Sequence, residues 1–192
     1  MNRREMIQMS LGTVGLMLTV GCTDLESGTS DDDLEPELPS ADEIQSILDG
    51  EWKQDDESIT APLSDEATYL TAFSHAPEDD EMATLTDQYS RIDVAGLVQL
   101  LVWTHDDSDD ATERYEEHPD QQRNLEAADI ATESLAGGVS PSGKPTQFRV
   151  LFRDGNAVGW VSYWTFRTQS PEEYETTGIK LAESVHGSWS IE

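Results

Sequence analysis

The stretch from Arg3 to Cys22 is the feature that most limits what this chain can fold into, because its own residues are not expected to belong to the folded domain. Arg3 and Arg4 precede an apolar run, Met9 to Gly21, that contains no charged residue. This run is shorter than the about 20 apolar residues that a membrane-spanning helix needs, and it has the length of a signal-peptide core. The fold is therefore predicted to begin only after this segment.

Two short motifs in this stretch resemble a known kind of export signal. The residues Asn2-Arg3-Arg4-Glu5-Met6-Ile7 resemble a twin-arginine motif, and Leu18-Thr19-Val20-Gly21-Cys22 is similar to a lipoprotein lipobox. Together they resemble the signal of haloarchaeal twin-arginine-exported lipoproteins, which implies that residues 1–21 are a cleaved signal peptide. Thr19 and Gln8 depart from the pattern, since those signals usually carry Leu and Lys there.

Cys22 is the single cysteine of the chain. The resemblance implies that it becomes the first mature residue, carries a lipid on its sulfur and holds the protein on the outer face of the cytoplasmic membrane. An acyl chain contributes about 0.8 kcal/mol per buried CH₂, so the lipid can supply the membrane affinity. An ordinary signal peptide with an incidental cysteine and an uncleaved N-terminal anchor are the other interpretations. A lone cysteine also excludes a disulfide within the chain.

The charge of the chain limits its partners. It has 11 Lys and Arg against 40 Asp and Glu, a formal net charge of −29. So few cations argue against nucleic acid and against electrostatic docking on anionic lipid. We interpret the acidity as adaptation to very high salt, because the Debye length is about 3 Å at 1 M and neighbouring carboxylates then repel little. A disordered acidic tail and a cation-binding surface are the alternatives.

Composition divides the remaining chain into two parts. Residues 22–40 are rich in Ser, Thr, Gly, Asp, Glu and Pro, and they are predicted to form a disordered acidic tether because they offer little apolar surface to bury. Residues 41–192 are predicted to form a single α+β domain, an antiparallel sheet with a C-terminal hairpin and helices packed on one face.

Capping signals predict three helices. Ser40 and Glu43 have the spacing of a capping box for the first helix. Ser108 is predicted to cap a middle helix that ends near residue 118, before a proline. Ser170 and Pro171 open the last helix.

Apolar runs and turn residues predict the strands. Leu97–Trp103 has the length and composition of a strand, and Asp154-Gly155 is predicted to be the two-residue turn of a central hairpin. Residues 82–92 and 127–135 are weaker strand candidates, and Gly137-Gly138 is predicted to lie in a loop.

The histidines, His75, His105, His118 and His186, do not have the spacing of metal ligands. No metal or cofactor is predicted, and each histidine is expected to have a structural or surface role. The chain also lacks a Gly-x-Ser-x-Gly elbow, a phosphate loop and a dinucleotide fingerprint, so no catalytic residue is predicted.

Three further groups allow two interpretations each. The acidic residues between His105 and Asp110 either form a solvated turn or hold a hard cation such as Ca²⁺. A set of aromatic residues belongs either to the core or to a ligand groove. A set of arginines around the hairpin either pairs with local carboxylates or forms an anion-binding or partner-docking patch. The aromatic set is Trp103, Trp160, Tyr163, Trp164 and Trp189, and the arginine set is Arg149, Arg153 and Arg167.

The function that these features favour is that of a non-enzymatic, membrane-tethered module that binds a small ligand or an envelope protein outside the cell. One alternative is a hydrolase of unknown substrate that uses Asp or Glu together with His105 or His186. The other is an accessory subunit of an envelope complex, which an exposed apolar or arginine-rich face along the hairpin would favour.

Overall fold

The computed structural model describes residues 34–48, 50–54, 64–76, 95–140, 147–165 and 170–191. Within these ranges lie three α-helices: α1 (Ala41–Ile47), α2 (Ser108–Glu117) and α3 (Pro171–Gly187). The strands in the same ranges are β1 (Leu34–Glu35), β2 (Trp52–Gln54), β3 (Tyr69–His75), β4 (Gly96–Thr104), β5 (Glu126–Ala127), β6 (Glu133–Val139), β7 (Gln147–Asp154), β8 (Ala157–Thr165) and β9 (Ser190–Ile191).

The main sheet has seven strands in the order β2-β3-β4-β8-β7-β6-β5, and every neighbouring pair is antiparallel. The central pair is β4 and β8, in register from Gly96 opposite Thr165 to Thr104 opposite Ala157. Both strands are buried along almost their whole length. Their near-continuous apolar sequences, such as Leu97–Trp103, fit this position because neither face of these strands meets water.

The predicted class, an α+β fold with an antiparallel sheet, a C-terminal hairpin and helices packed against the sheet, is confirmed. The helices are divided between the two faces, however, rather than gathered on one. Leu100 and Val102 of β4 share a core with residues of α1 and α3, whereas Leu101 and Trp103 share a second core with α2. Successive side chains of a strand point to opposite faces, so a central strand that is apolar at every position needs a cover on each side.

Two of the three predicted helix caps, those of α1 and α3, are present in the structure. Ser40 and Glu43 form the predicted capping box, and the hydroxyl of Ser170 accepts the backbone N–H of Glu173 at 3.2 Å. The cap of α2 is one residue earlier than predicted: Oδ1 of Asp107 accepts the backbone N–H groups of residues 109 and 110 at 3.0 and 2.9 Å. A carboxylate beside two free N–H groups is the stronger acceptor, so Asp107 displaces Ser108 from this role.

The predicted tight hairpin is present, with its turn one residue further along. Asp154 pairs with Ala157, so the two turn residues are Gly155 and Asn156. Gly155 has a φ of 48°, a conformation that glycine adopts without the penalty of a side chain.

Two weaker strand and loop predictions need correction. Gly137 and Gly138, predicted as loop, lie within β6 opposite Arg149 and Phe148. A side chain at Gly137 would meet Leu125, so the strand passes closely over a neighbouring segment there. Residues 127–135 are not one strand but the end of β5, an irregular link and the start of β6. The candidate strand at 82–92 lies outside the described residues.

The described chain is already joined to the fold before the predicted boundary at residue 40. Leu34 pairs with Ile191 and Glu35 with Ser190, and the Ser188 hydroxyl donates to the carbonyl of Glu37 at 2.6 Å. Residues 34–40, predicted as part of a free tether, therefore lie against the C-terminal end of α3.

Candidate functional site

A buried polar cluster lies beside α2, on the side of the sheet away from α1 and α3. Its centre is Asp120, which is 0% exposed and stands in the short 3-10 turn Pro119–Gln122. This turn follows α2 directly. We call this group the Asp120 cluster, and it consists of Asp120, Arg123, Arg149, Trp160 and His118.

Both carboxylate oxygens of Asp120 accept hydrogen bonds. Oδ1 accepts from Nη1 of Arg149 at 2.7 Å and from Nε of Arg123 at 2.6 Å, while Oδ2 accepts from Nε1 of Trp160 at 2.7 Å. Arg149 also donates to the side-chain oxygen of Gln147. The cluster therefore ties the turn after α2 to β7 and β8 by charge-assisted hydrogen bonds.

His118 is held as a neutral ring. It is 1% exposed, and its Nδ1 accepts the backbone N–H of Asp120 at 3.2 Å. Burial lowers the pKa of His118 to about 4; the nearby guanidinium groups of Arg114, Arg149 and Arg123 add to this, and the Asp120 carboxylate opposes it. Because Nδ1 is an acceptor in the neutral ring, the proton must reside on Nε2.

Beside the Asp120 cluster, three side chains carry buried N–H groups that have no hydrogen-bond partner in the described chain. They are Nε and Nη2 of Arg114, Nε1 of Trp103 and Nε2 of His118, and we call them the unpaired donor group. The Arg114 guanidinium carbon lies 4.7 Å from the centre of the Trp103 ring, and the Trp103 and His118 ring centres are 5.8 Å apart. A buried donor without a partner costs about 1–3 kcal/mol, so such a group calls for an acceptor.

A second titratable pair joins α3 to the hairpin. Nε2 of His186 lies 2.9 Å from Oδ2 of Asp154, and Thr132 donates to Oδ1 of the same carboxylate at 2.6 Å. Burial alone would raise the pKa of Asp154, but the hydrogen bonds from Thr132 and His186 outweigh it and lower that pKa. The rings of Phe152 and Trp189 flank His186 at 6.0 and 5.4 Å. His186 thus bonds one carboxylate and is fixed among aromatic rings.

The other two histidines have different surroundings. His75 is buried, and its Nδ1 lies 2.8 Å from the carbonyl oxygen of Glu51. His105 is half-buried at the start of the acidic turn, and burial followed by the charge of Arg114 lowers its pKa. In that turn Asp107 acts as the cap of α2, so part of its acidity has a structural role. In the part of the chain that the structure describes, no three His, Cys, Asp or Glu side chains are arranged to hold a metal ion.

The aromatic set belongs mainly to the core. Trp103, Trp160, Tyr163 and Trp164 are buried in the sheet, and Trp189 stacks on Phe152 with ring centres 5.2 Å apart. These contacts agree with the core interpretation rather than with a ligand groove.

The structure describes two of the three arginines in the predicted patch. Arg149 pairs with Asp120, and Arg153 pairs with Glu133 at 2.7 Å. Both guanidinium groups therefore have carboxylate partners within the chain. Arg167 lies outside the described residues, as do Arg3, Arg4 and Cys22 of the export signal and lipidation site.

Sequence reasoning did not single out the Asp120 cluster or the unpaired donor group. One acidic residue among 40 has no distinguishing pattern, and His118 looks like any residue at a helix end. The one sequence signal that could have found them is the scarcity of cations. In a chain with so few, Arg114 within α2 and Arg123 shortly after it suggest a specific role.

Comparisons with known proteins assign no family. No protein-family model matches the chain, and no curated protein matches it. The chain is similar to the extracellular domain of PknH from Mycobacterium tuberculosis, with 11% identity and a TM-score of 0.42, covering 80% of this chain and 98% of that one. It is also similar to a crystal structure from Bacteroides thetaiotaomicron VPI-5482, with 12% identity and a TM-score of 0.37, covering 73% of this chain and 42% of that one.

The two structural likenesses are too distant to carry a functional argument. This chain also spans less than half of the second protein. Within the described ranges, no helix has both the length and the apolar character needed to cross a membrane.

Proposed function

We propose that this chain is exported, lipidated on Cys22 and held on the outer face of the cytoplasmic membrane, where its α+β fold binds a ligand or partner without catalysing a reaction. One observation carries the proposal: the single cysteine follows directly on the apolar run that Arg3 and Arg4 introduce. The net charge of −29 supports a setting of very high salt, in which a carboxylate-rich surface is tolerated.

The contacts of the titratable groups support a binding role over a hydrolytic one. Asp120 uses both oxygens to hold Arg149, Arg123 and Trp160, and His118 uses Nδ1 to hold a backbone N–H. The hydrolase hypothesis asks for His105 or His186 in a cleft against two carboxylates. The hydrogen bond of His186 joins it to one carboxylate. Acidic residues of the turn act on His105, and one of them, Asp107, is engaged as the cap of α2. These groups stabilise the fold instead of presenting a free general base.

The envelope-subunit alternative draws no support from the described part of the hairpin. β7 and β8 are buried along most of their length, and Arg149 and Arg153 are both paired with carboxylates. An exposed apolar or arginine-rich face is therefore not formed by the described hairpin residues. We retain binding of a ligand or partner by the tethered module as the proposed function.

The test is the fate of the chain when the sulfur is removed. We expect Cys22→Ser to abolish the mass of a lipid in the intact protein and to shift the protein from the membrane fraction to the medium. Ser27→Ala, a change to a nearby small hydroxyl residue, should leave both unchanged. Replacing Arg3 and Arg4 by Lys should retain the protein inside the cell. An unprocessed N-terminus, or a bare thiol on native protein, would contradict the proposal.

Binding is tested separately, by isolating the native protein from its membrane at high salt and identifying what accompanies it. A specific companion or a co-purifying small molecule is the expected result. A lipidated protein that repeatedly isolates alone would remove the binding part of the proposal while leaving its anchoring intact.

A further inference from the structure

The unpaired donor group is a set of hydrogen-bond donors without an acceptor. Arg114 offers Nε and Nη2, since its Nη1 is already bonded to Glu66 at 2.7 Å. Trp103 and His118 each offer one N–H from side chains that are 2% and 1% exposed. Arginine and tryptophan side chains can only donate, and the tautomer of His118 fixes its Nε2 as a donor too. Whatever completes this group must therefore accept.

The free edge of Arg114 has the form that recognises oxyanions. Nε and Nη2 lie side by side on one edge of a planar guanidinium, and two parallel N–H bonds from such an edge match the two oxygens of a carboxylate or a sulfate. The ring of Trp103 attracts the charge of this guanidinium from its face, but it offers no lone pair to the in-plane N–H groups.

The local charge also favours an anion, although the chain as a whole is strongly acidic. Three guanidinium groups, those of Arg114, Arg149 and Arg123, act on His118, against the single carboxylate of Asp120. That carboxylate is already used by Arg149, Arg123 and Trp160. Arg114 and the carboxylates of the acidic turn also act on His105, whose Nε2 is a further buried ring nitrogen without a partner in the described chain.

A single ordered water fits this group less well. A buried water usually makes about three hydrogen bonds and needs acceptors for its own two hydrogens. The four N–H groups of these three side chains are all donors, so neither hydrogen of a water would find an acceptor among them. An oxyanion carries only acceptor oxygens and has enough of them for all these donors.

We propose that the unpaired donor group of Arg114, Trp103 and His118 binds a small oxyanion, with the Arg114 edge taking two of its oxygens and the two ring N–H groups completing the shell. The proposal rests on the proposed binding function and gives it a ligand class. The side chain of Arg114 is 16% exposed as a whole, while its Nε and Nη2 atoms are buried. A short organic acid and an inorganic oxyanion share this chemistry.

The test is calorimetric titration of the full chain with sodium acetate and, separately, with sodium sulfate, at constant high ionic strength with chloride as the exchanged anion. We expect saturable binding of at least one of them. Acetate alone would identify small carboxylates as the ligand class, and sulfate alone would identify inorganic oxyanions. Arg114→Gln should weaken binding about tenfold or more, because the charged fork is lost.

A matched control is available in Arg153, whose side chain is 13% exposed and likewise pairs with one exposed carboxylate. Arg153→Gln should bind as the unmodified chain does. Trp103→Phe removes one N–H and keeps most of the ring, so it tests the site even if Arg114→Gln does not fold. We expect it to weaken binding several-fold, and the melting temperature of each variant reports its folding.

Three results would overturn the inference: no saturable binding of either anion, equal affinity in Arg114→Gln and Arg153→Gln, or a crystal structure from acetate or sulfate that shows only water on these N–H groups. These failures differ from a failure of the proposed function. A lipidated chain that retains a specific companion but binds neither anion keeps the proposed function and loses only this ligand class.

Discussion

Nη1 of Arg149 donates to Oδ1 of Asp120 at 2.7 Å, with the Asp120 side chain fully buried and the Arg149 side chain 8% exposed. This bond joins β7, an inner strand of the sheet, to the turn that follows α2. A buried pair of this kind is costly to break from one side, because the remaining charge is left without a partner.

The buried pair therefore predicts a large loss of stability when Asp120 is replaced. We expect Asp120→Ala to lower the free energy of unfolding by about 3–5 kcal/mol, because Arg149 and the indole N–H of Trp160 lose their acceptor. Denaturant unfolding at constant salt measures this change. Glu133→Ala is the control, since Glu133 pairs with Arg153 at the surface, and it should cost about 0–1 kcal/mol. Equal losses in the two variants would show that the Asp120 cluster is not a structural tie.

The buried ring of His118 predicts a pH dependence of stability. Its pKa is about 4 in the folded chain and about 6.5 when unfolded, so between these values the unfolded chain binds more protons. Stability should therefore be full above about pH 6.5 and fall as the pH drops toward 4, by about 3 kcal/mol from this group.

Unfolding measured across that pH range checks the prediction, and His118→Gln should flatten the slope. Val98→Ala, a destabilising change at a buried residue that does not titrate, should lower the curve without changing its slope. A His118→Gln chain with an unchanged slope would assign the pH dependence to other groups.

The close packing of α3 on the sheet predicts that an added methyl group is not tolerated at Gly178. A Cβ atom there would lie 2.1 Å from the Phe148 ring, which is buried beneath the helix. We expect Gly178→Ala to cost about 1–3 kcal/mol or more, since the helix must shift or the ring must change rotamer.

Gly187 at the end of the same helix is the matched control. A Cβ there would meet nothing within 4 Å, so Gly187→Ala should be neutral or slightly stabilising through helix propensity. Thermal unfolding of the two variants separates the effects. If both alanines behaved alike, close contact with Phe148 would not limit the position of α3.

The position of the α2 cap makes a prediction that separates two neighbouring residues. Asp107→Ala should lower stability by about 0.5–2 kcal/mol, because two backbone N–H groups lose their acceptor. Ser108→Ala should have a smaller effect. Helix content by circular dichroism together with unfolding midpoints checks both, and a larger loss at Ser108 would reverse our assignment of the cap.

The sequence predicts those parts of the fold that local chemistry determines. The capping box at Ser40, the cap at Ser170 and the strand at Leu97–Trp103 follow from short-range patterns, and the structure has them. The cap of α2 and the hairpin turn each lie one residue from the predicted position. Adjacent residues offer similar turn chemistry, and the choice between them depends on hydrogen bonds that only the folded chain makes.

The remainder depends on contacts between distant residues. Gly137 looks like a loop residue, but it lies in a strand opposite Arg149, and a glycine suits this position because Leu125 packs where a side chain would be. Asp120 meets Arg149 and Trp160 across 29 and 40 residues of sequence, and no local pattern contains that information. Local patterns also do not determine which helix packs on which face of the sheet, because a strand that is apolar at every position gives both faces the same character.

The pairing of Leu34 with Ile191 brings the two ends of the described chain side by side. A domain whose two ends lie close together can be inserted into a surface loop of a carrier protein, because both ends reach the loop without distortion. Residues 34–191 inserted in this way would be produced without the export signal and without a lipid anchor. The carrier protein would supply solubility at ordinary salt. The α+β domain, which we propose is held at a membrane surface, could then be studied in solution as part of the carrier.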